Sequence, residues 1–314
     1  MNILLLGANG QVGHALREPL AALGRLTCAT RTGRLEDGSD CLQVDLADAA
    51  SLARALDASV ARIIVNAAAY TAVDEAEDEP ALADRINHLA LAEIGTWAAG
   101  HDALVVHYST DYVFDGRSDR PWHENDETAP LGVYGRSKLA GEQALRDSGA
   151  QHLILRTAWV YAARGQNFLR TMLRLAAERE ELRVVDDQIG APTPASWIAR
   201  TTGSVLQRWL AMDRHEREAA CGTYHLTASL RCSWFGFASA IMREAQRAGL
   251  LARIPELTPI ASIDYPTRAQ RPAFSVLDNT RLALVFGQHL PPWESGLREV
   301  IGELAALQDH GVTA

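Results

Sequence analysis

A tyrosine and a lysine stand four residues apart in Val133-Tyr134-Gly135-Arg136-Ser137-Lys138, and a hydroxyl precedes them in Ser109-Thr110-Asp111-Tyr112. Phenol, ammonium and hydroxyl together form a set that can deliver a proton to a carbonyl oxygen. On a helix, positions i and i+4 share one face, which sets Lys138 beneath Tyr134. Tyrosine titrates near ~10 when unperturbed, and a cation beside it lowers that value toward neutral pH, as a general acid or base requires. The same spacing arises on ordinary amphipathic helices, where the tyrosine packs and the lysine is solvated. The rest of the chain therefore has to supply the other half of the reaction.

The elements that would position these groups are legible in the periodicity. An apolar run from Asn2 to Leu6 meets Gly7-Ala8-Asn9-Gly10-Gln11-Val12-Gly13, and then Ala15, Leu16, Leu20 and Leu23 recur at helical spacing. This reads as strand, tight loop, helix. Short apolar strands are expected at Leu26 to Ala29, Leu42 to Val44, Arg62 to Val65, Leu104 to His107 and His152 to Leu155, with helical patterns between several of them. Such alternation predicts an α/β fold, a doubly wound parallel sheet of Rossmann type with a smaller C-terminal substrate domain. Residues 1–160 form the expected dinucleotide-binding domain, with later segments able to return to its sheet, and residues 161–314 are mainly the substrate-binding domain. Beyond Tyr161 helices are expected at Phe168 to Arg179, Pro194 to Leu210, Ser233 to Ala248 and Glu294 to Leu307, with a proline-rich stretch from Pro255 to Pro272.

Composition narrows the function classes. The 314 residues are 47% hydrophobic and 22% charged, and no apolar run approaches the ~20 residues that cross a membrane. The N-terminus has no positive region and no small-residue cleavage site, so it reads as structural. Cys28, Cys41, Cys221 and Cys232 show neither a Cys-x-x-Cys pair nor metal-finger spacing, which predicts reduced thiols in a cytoplasmic protein. A formal charge of -9 excludes a general nucleic-acid surface but leaves room for arginines on a phosphorylated small molecule. The ten histidines show no ligand spacing, so no zinc site is expected, and His107 falls inside or at the edge of a strand.

Gly7, Gly10 and Gly13 allow a tight turn, close backbone approach to a pyrophosphate and close packing of helix on strand, while the helix N-terminus that Gln11 and Val12 open offers free N–H groups. Position after a strand and before a helix makes the motif specific. Asp45-Leu46 follows a later strand, where the carboxylate could accept from an adenine amino group or cap the helix beginning near Ala47. Where an acidic residue would hold the 2'-hydroxyl of NAD, the chain has Thr30-Arg31-Thr32-Gly33-Arg34. Arginine suits a 2'-phosphate, so NADPH is the expected cofactor, with NADH also accepted, and Arg31 and Arg34 are the candidates for the phosphate. In Asn66-Ala67-Ala68-Ala69-Tyr70-Thr71 the small residues suit a backbone passing beside a cofactor; Ala67, Ala69, Tyr70, Thr71 and, later, Tyr108 are placed on the same ligand.

A nucleotide fold, then Ser/Thr after a later strand, then Tyr-x-x-x-Lys resembles the extended short-chain dehydrogenase/reductases. More narrowly, residues 107–116, Tyr134 to Glu142, Arg156 to Tyr161 and Asp187-Gln188-Ile189-Gly190-Ala191-Pro192-Thr193 resemble the dTDP-4-dehydrorhamnose reductase family, over nearly the whole chain. The resemblance implies reduction of the C4 ketone of dTDP-4-dehydro-L-rhamnose by NAD(P)H, the last step of dTDP-L-rhamnose synthesis for cell-wall polysaccharide or lipopolysaccharide O-antigen. It implies Tyr134 as proton donor, Lys138 as the group that lowers the tyrosine pKa and binds the nicotinamide ribose, and Thr110 as a hydrogen-bond partner of the reacting oxygen. Asp111, Tyr112, Trp159, Gln188 and Arg271 would join Thr110 on the substrate, Trp159 with a flat apolar face and Arg271 on the diphosphate. Dehydratases of the superfamily carry an Asp-Glu pair after the active-site threonine. Here Tyr112 follows Asp111, which favours simple reduction. The segment Arg268 to Ser275 departs from the family pattern by placing Phe274 where asparagine is usual. The resemblance also allows Mg2+ linking a homodimer through Asp74-Glu75-Ala76-Glu77-Asp78-Glu79, but a solvated helix start is the preferred reading of that acidic run and no metal site is assigned. Two other readings share the motifs: a reductase or epimerase of another nucleotide sugar, and a non-catalytic regulatory subunit of a methionine adenosyltransferase.

Overall fold

The computed structural model describes residues 1–309. Six strands, β1 Asn2–Leu6, β2 Arg25–Thr30, β3 Leu42–Gln43, β4 Ile63–Asn66, β5 Leu104–Thr110 and β6 Gln151–Thr157, join Gly222–His225 in one sheet. Its order is Gly222–His225, β6, β5, β4, β1, β2, β3, and every pairing is parallel. The chain winds outward from β1 through β2 and β3, then returns to lay β4 on the other side. That reversal opens a crevice beyond the C-terminal ends of β1 and β4. The strand Gly222–His225 lies beyond residue 160, so the C-terminal half of the chain also contributes to this sheet.

Both faces of the sheet are covered, which is why its strands read as continuous apolar runs. Ile3, Leu5, Val65, Val106 and Leu155 face one core with Leu16 and Leu20 of the helix Gln11–Ala21 and Ile198, Val205 and Leu206 of Ala195–Ala211. Leu4, Leu6, Ile64, Val105 and Ile154 face the other, with Leu52 and Leu56 of Ala49–Ser59, Leu91 and Ile94 of Ala90–Gly100, and Leu145 of Val133–Asp147. The first core continues into the C-terminal half, where the helices Phe168–Glu178 and Trp234–Arg247 pack on the parallel pair Glu181–Val185 and Glu256–Ile260. Among the described residues no helix is long and apolar enough to cross a membrane.

Two constraints hold the site-bearing elements. Gly13 lies so close under the first turn that a Cβ there would overlap the carbonyl oxygen of Gly7. The helix Val133–Asp147 is fastened to β6 by a buried ion pair: Arg156 Nε donates to Glu142 Oε1 at 2.9 Å and Arg156 Nη2 to Glu142 Oε2 at 2.7 Å. Burial pushes the Glu142 carboxyl up, but the bonds and charge of Arg156, with Ser109 and Arg146, outweigh it and hold the group below its ordinary value. A depressed carboxyl stabilises the fold above its unfolded pKa and loses that contribution as pH falls through the folded value.

Arg156→Leu leaves the Glu142 carboxylate buried with its main partner gone, and is expected to cost about 3–5 kcal/mol in urea unfolding at pH 7. The penalty should shrink as the pH is lowered, because without Arg156 burial favours the protonated form of the Glu142 carboxyl. Gly13→Ala should cost about 1–3 kcal/mol in the same assay, because the helix must shift off β1.

Candidate active site

At the crevice, Gly7 adopts φ +79, and a Cβ there would sit 2.7 Å from the amide nitrogen of Ala68. The backbones of β1 and β4 thus meet with no side chain between them. Gly10 caps the helix Gln11–Ala21 without a side-chain bond, leaving N–H groups directed outward. Beside them lies a cavity of about 330 Å³ lined by Gly7, Gly10, Thr30, Arg31, Asp45 and Leu46 among others. Bare amides, small residues and an exposed arginine fit the adenosine and phosphate end of a dinucleotide.

The other expected cofactor residues divide by what they touch. Asp45 Oδ1 accepts from Ala47 N at 2.9 Å, so the carboxylate makes a local turn while still lining the cavity; the helix that follows is capped by Asp48. Arg34 pairs with Asp40 at 3.7 Å, whereas Arg31 lies at the cavity. Gln11 Oε1 accepts from Asn167 Nδ2, and Val12 packs against the core. Ala67 and Ala69 are partly buried at the end of β4, and Thr71 is exposed. Tyr70 donates its hydroxyl to Glu79 Oε2 at 2.7 Å. Tyr108 turns its side chain away from the crevice into the core, where its hydroxyl meets Thr202 Oγ1 at 2.8 Å, while its carbonyl accepts from Lys138. Alternation along β5 dictates this, since His107 and Ser109 take the other face.

Thr110 ends β5, and Tyr134 and Lys138 project from the helix packed beside it. Tyr134 hydrogen-bonds to Thr110, whose Oγ1 donates to Asp111 Oδ1 at 3.1 Å and accepts from Tyr112 N at 3.2 Å. With the threonine proton committed to Asp111, the phenol is the donor in the Tyr134–Thr110 bond. Most of the Tyr134 ring is enclosed, and burial pushes its pKa up, the Thr110 bond opposing and Asp111 adding to the rise. The expected lowering by Lys138 is therefore not the dominant force. Lys138 Nζ instead donates to the Tyr108 carbonyl at 2.6 Å and lies 3.0 Å from His107 Nε2. Burial lowers this lysine to about 7.

Around this centre, Asp111 is 2% exposed and burial raises its carboxyl to about 6, while its Oδ2 has no partner. Tyr112 stands edge-on to Tyr134 at 5.6 Å, and burial pushes it up to about 12. Trp159, in the left-handed region at φ +48, stacks on Trp234 at 3.5 Å, and a Cβ on Gly190 would overlap its ring. One face of the indole is thus already taken. Gln188 Nε2 donates to Ser262 Oγ at 2.8 Å, and Arg231 lies over the Phe274 ring at 5.6 Å.

The acidic run opens the short helical turn Glu75–Glu77 and leads into the helix Pro80–Asp84, with Glu75, Asp78 and Glu79 exposed as a solvated helix start requires, and several of its carboxylates also have partners in the chain. Asp74 accepts from Arg271 Nη2 at 2.9 Å and from Ala269 N at 3.0 Å, Asp78 pairs with Arg268, and Glu77 Oε1 accepts from Val133 N at 2.7 Å, capping the helix that carries Tyr134. These carboxylates are spent on the chain itself. Among the described residues no group of three or more His, Cys, Asp or Glu side chains could hold a metal ion, so the residues do not fit the magnesium that the resemblance allowed. Arg271 keeps Nη1 buried without a partner.

Several residues of the site were given no role by the sequence. Asn87, in the π-helical turn Arg85–Leu89, brackets Tyr70 through its amide and carbonyl and reaches Ser137 Oγ at 3.0 Å. Asn66 and His107 line up behind Lys138, with Asn66 Nδ2 3.2 Å from His107 Nδ1.

Known proteins resemble this chain in sequence and in fold. The chain is 43% identical to the dTDP-4-dehydrorhamnose reductase of Escherichia coli over 97% of its length and 98% of the relative's. It is 45% identical to that of Burkholderia thailandensis over 93% and 95%. The crystal structure of a Clostridium acetobutylicum dTDP-4-dehydrorhamnose reductase superposes with a TM-score of 0.85 at 33% identity, covering 97% of this chain and 99% of that one. A Bacillus anthracis dTDP-4-dehydrorhamnose reductase, solved in complex with NADP, gives 0.83 at 31% identity, covering 96% and 98%. The RmlD substrate binding domain model matches residues 1–306, and the chain belongs to that family.

Proposed function

We propose that this chain reduces the C4 ketone of dTDP-4-dehydro-L-rhamnose with NADPH, NADH serving less well. The observation that carries the reading is the bond of Tyr134 to Thr110 at the end of β5, with Lys138 one helical turn on and bonded to the Tyr108 carbonyl, beside a crevice shaped for a dinucleotide. Relatives at 43–45% identity named for this reaction support the choice of substrate. The nicotinamide cofactor, when bound, supplies the hydride. The residues handle the proton and the charge.

Tyr134 retains its proton because burial raises its pKa, and Thr110, already donating to Asp111, is positioned to accept. A ketone oxygen that replaces Thr110 as the phenol's acceptor would receive that hydrogen bond, which strengthens as negative charge develops and ends in proton transfer, while the Thr110 hydroxyl, turned from Asp111, would donate a second bond to the same oxygen. Buried Asp111 and the free Nη1 of Arg271 offer polar contacts to a bound sugar nucleotide, and Trp159, braced by Trp234, offers a flat wall. We assign the substrate-binding domain mainly to residues 161–314, which supply Trp234 and Arg271, with Trp159 just ahead of it. Tyr112 in place of a second carboxylate leaves no base for elimination, which favours reduction over dehydration. The four free thiols suit a cytoplasmic location.

Tyr134→Phe is expected to lower kcat by about 10²–10⁴-fold with NADPH affinity nearly unchanged; near-normal turnover would remove Tyr134 as the donor. Arg31→Ala should raise the KM for NADPH more than tenfold and leave that for NADH nearly constant. Equal effects on both cofactors would show that Arg31 does not read the 2'-phosphate. The substrate is checked by following NADPH oxidation with a panel of nucleotide 4-keto sugars.

A further inference from the structure

The proline-rich stretch that leads to Arg271 is held at both ends of a short exposed run. At one end, Asp187 Oδ1 and Oδ2 each accept from Ser262 N at 2.9 Å, and Gln188 Nε2 donates to Ser262 Oγ at 2.8 Å. This ties it to the loop whose Gly190 backs Trp159. At the other end, Ala269 N donates to Asp74 Oδ1 at 3.0 Å and Arg271 Nη2 to Asp74 Oδ2 at 2.9 Å. Between these anchors the chain makes one tight turn. Asp264 N donates to Ala261 O at 3.0 Å and Tyr265 N to Ser262 O at 3.1 Å, and Pro266 then restricts the exit. A segment so tied has little conformational freedom left to lose when a ligand meets it. Its tip is nevertheless apolar and wet. Ile263 is 86% exposed and Tyr265 59%, and the Tyr265 side chain makes no hydrogen bond or ring contact among the described residues. Single exposed apolar residues are ordinary. Two on one stiffened turn, at the rim of a polar cleft, form a surface for a ligand.

Which part of a ligand lies there follows from the order of groups beneath. Tyr134, on Thr110, is at the reacting end. Tyr112 stands edge-on to Tyr134 at 5.6 Å, its hydroxyl accepts from Arg271, and Arg271 keeps Nη1 buried without a partner. A sugar nucleotide with its ketone at Tyr134 and its diphosphate at Arg271 therefore carries its nucleobase outward, on the side of Arg271 away from Tyr134. The strap is anchored on that side, through Asp74. A nucleobase has flat faces that water solvates poorly, and aromatic side chains stack on them whatever the base. We propose that residues 262–269 form a preorganised strap on which the substrate's nucleobase lies, with the Tyr265 ring as its stacking partner and Ile263 as an apolar flank. Tyr265 is thus a binding residue remote from the reacting atoms. Its ring makes the contact, and its hydroxyl is dispensable.

The choice of ligand rests on the nucleotide-sugar reading, and the test keeps the two apart. Full-length protein is saturated with NADPH, so that the dinucleotide crevice is filled, and dTDP is titrated by calorimetry. Tyr265→Ala is expected to raise the Kd for dTDP about tenfold or more, the usual loss when a base gives up an aromatic partner. Tyr265→Phe should bind dTDP as the wild type does. Affinity for NADPH, the check that the exposed substitution leaves the fold intact, should stay constant in both. A dTDP Kd unchanged in Tyr265→Ala overturns the proposal, as does a loss that Tyr265→Phe shares, which would assign the contact to the hydroxyl. A wild type that binds no dTDP overturns it too. Ring-dependent dTDP binding in a protein that reduces no nucleotide 4-keto sugar upholds the strap and rejects the reductase reading. Reduction of such a sugar with dTDP binding indifferent to Tyr265 rejects the strap alone.

Discussion

Lys138 Nζ reaches the carbonyl oxygen of Tyr108 across the packing of the helix Val133–Asp147 on β5, and much of the site follows from that contact. An amine removed from water loses hydration that only close polar partners replace. Strand β5 supplies two from adjacent residues, the carbonyl of Tyr108 and the imidazole of His107. Because successive side chains alternate, committing His107 to the helix side sends Tyr108 into the opposite core, where Thr202 receives its hydroxyl. One turn farther along the helix, Glu142 locks onto Arg156 of β6. The helix is thus fastened to two neighbouring strands by charged or polar groups rather than by apolar packing alone. Tyr134, one turn before the lysine, is held where the strand ends.

The crevice depends on a different economy. Where β1 and β4 diverge, Gly7 and the alanines after Asn66 bring two backbones together with almost no side chain between them. Space that side chains would fill is left for a ligand, and amides that side chains would cap are left free. The catalytic helix begins beside this space, with its first N–H bonded by Glu77, a residue more than fifty positions earlier in the sequence. Cofactor crevice and proton-donating helix are therefore joined by the same acidic segment that binds Arg268 and Arg271.

Much of the architecture was legible because burial on both sheet faces writes itself as short apolar runs, and the expected strands at Asn2 to Leu6 and Leu104 onward match β1 and β5 closely. Gly222–His225 was not, since Gly-Thr-Tyr-His contains no apolar run; its burial comes from its place at the edge of the sheet and from the helices over it. In the site, residues joined by local spacing were readable: the three glycines, Thr110, and Tyr134 with Lys138. Residues joined only by the fold were not. Asn66 and His107 lie 41 positions apart, and His107 and Lys138 lie 31 apart. The direction of the Tyr108 side chain was not legible, because adjacency in sequence to Thr110 says nothing of which strand face is turned inward, and neither were the cationic partners of Asp74 and Asp78, which lie nearly two hundred residues downstream.

Those acidic partnerships differ in how much water they see. The pair Arg268–Asp78 is largely exposed, whereas Arg271 and Asp74 are about a quarter and a third exposed. Mobile ions screen exposed charges over about 8 Å at physiological ionic strength and reach enclosed ones far less. Added salt therefore acts on the outer link of the clasp before the inner one, so the segment around residues 268–271 can slacken at its rim while its arginine anchor stays in place. Ionic strength becomes a handle on the mouth of the cleft that leaves the buried chemistry behind it untouched.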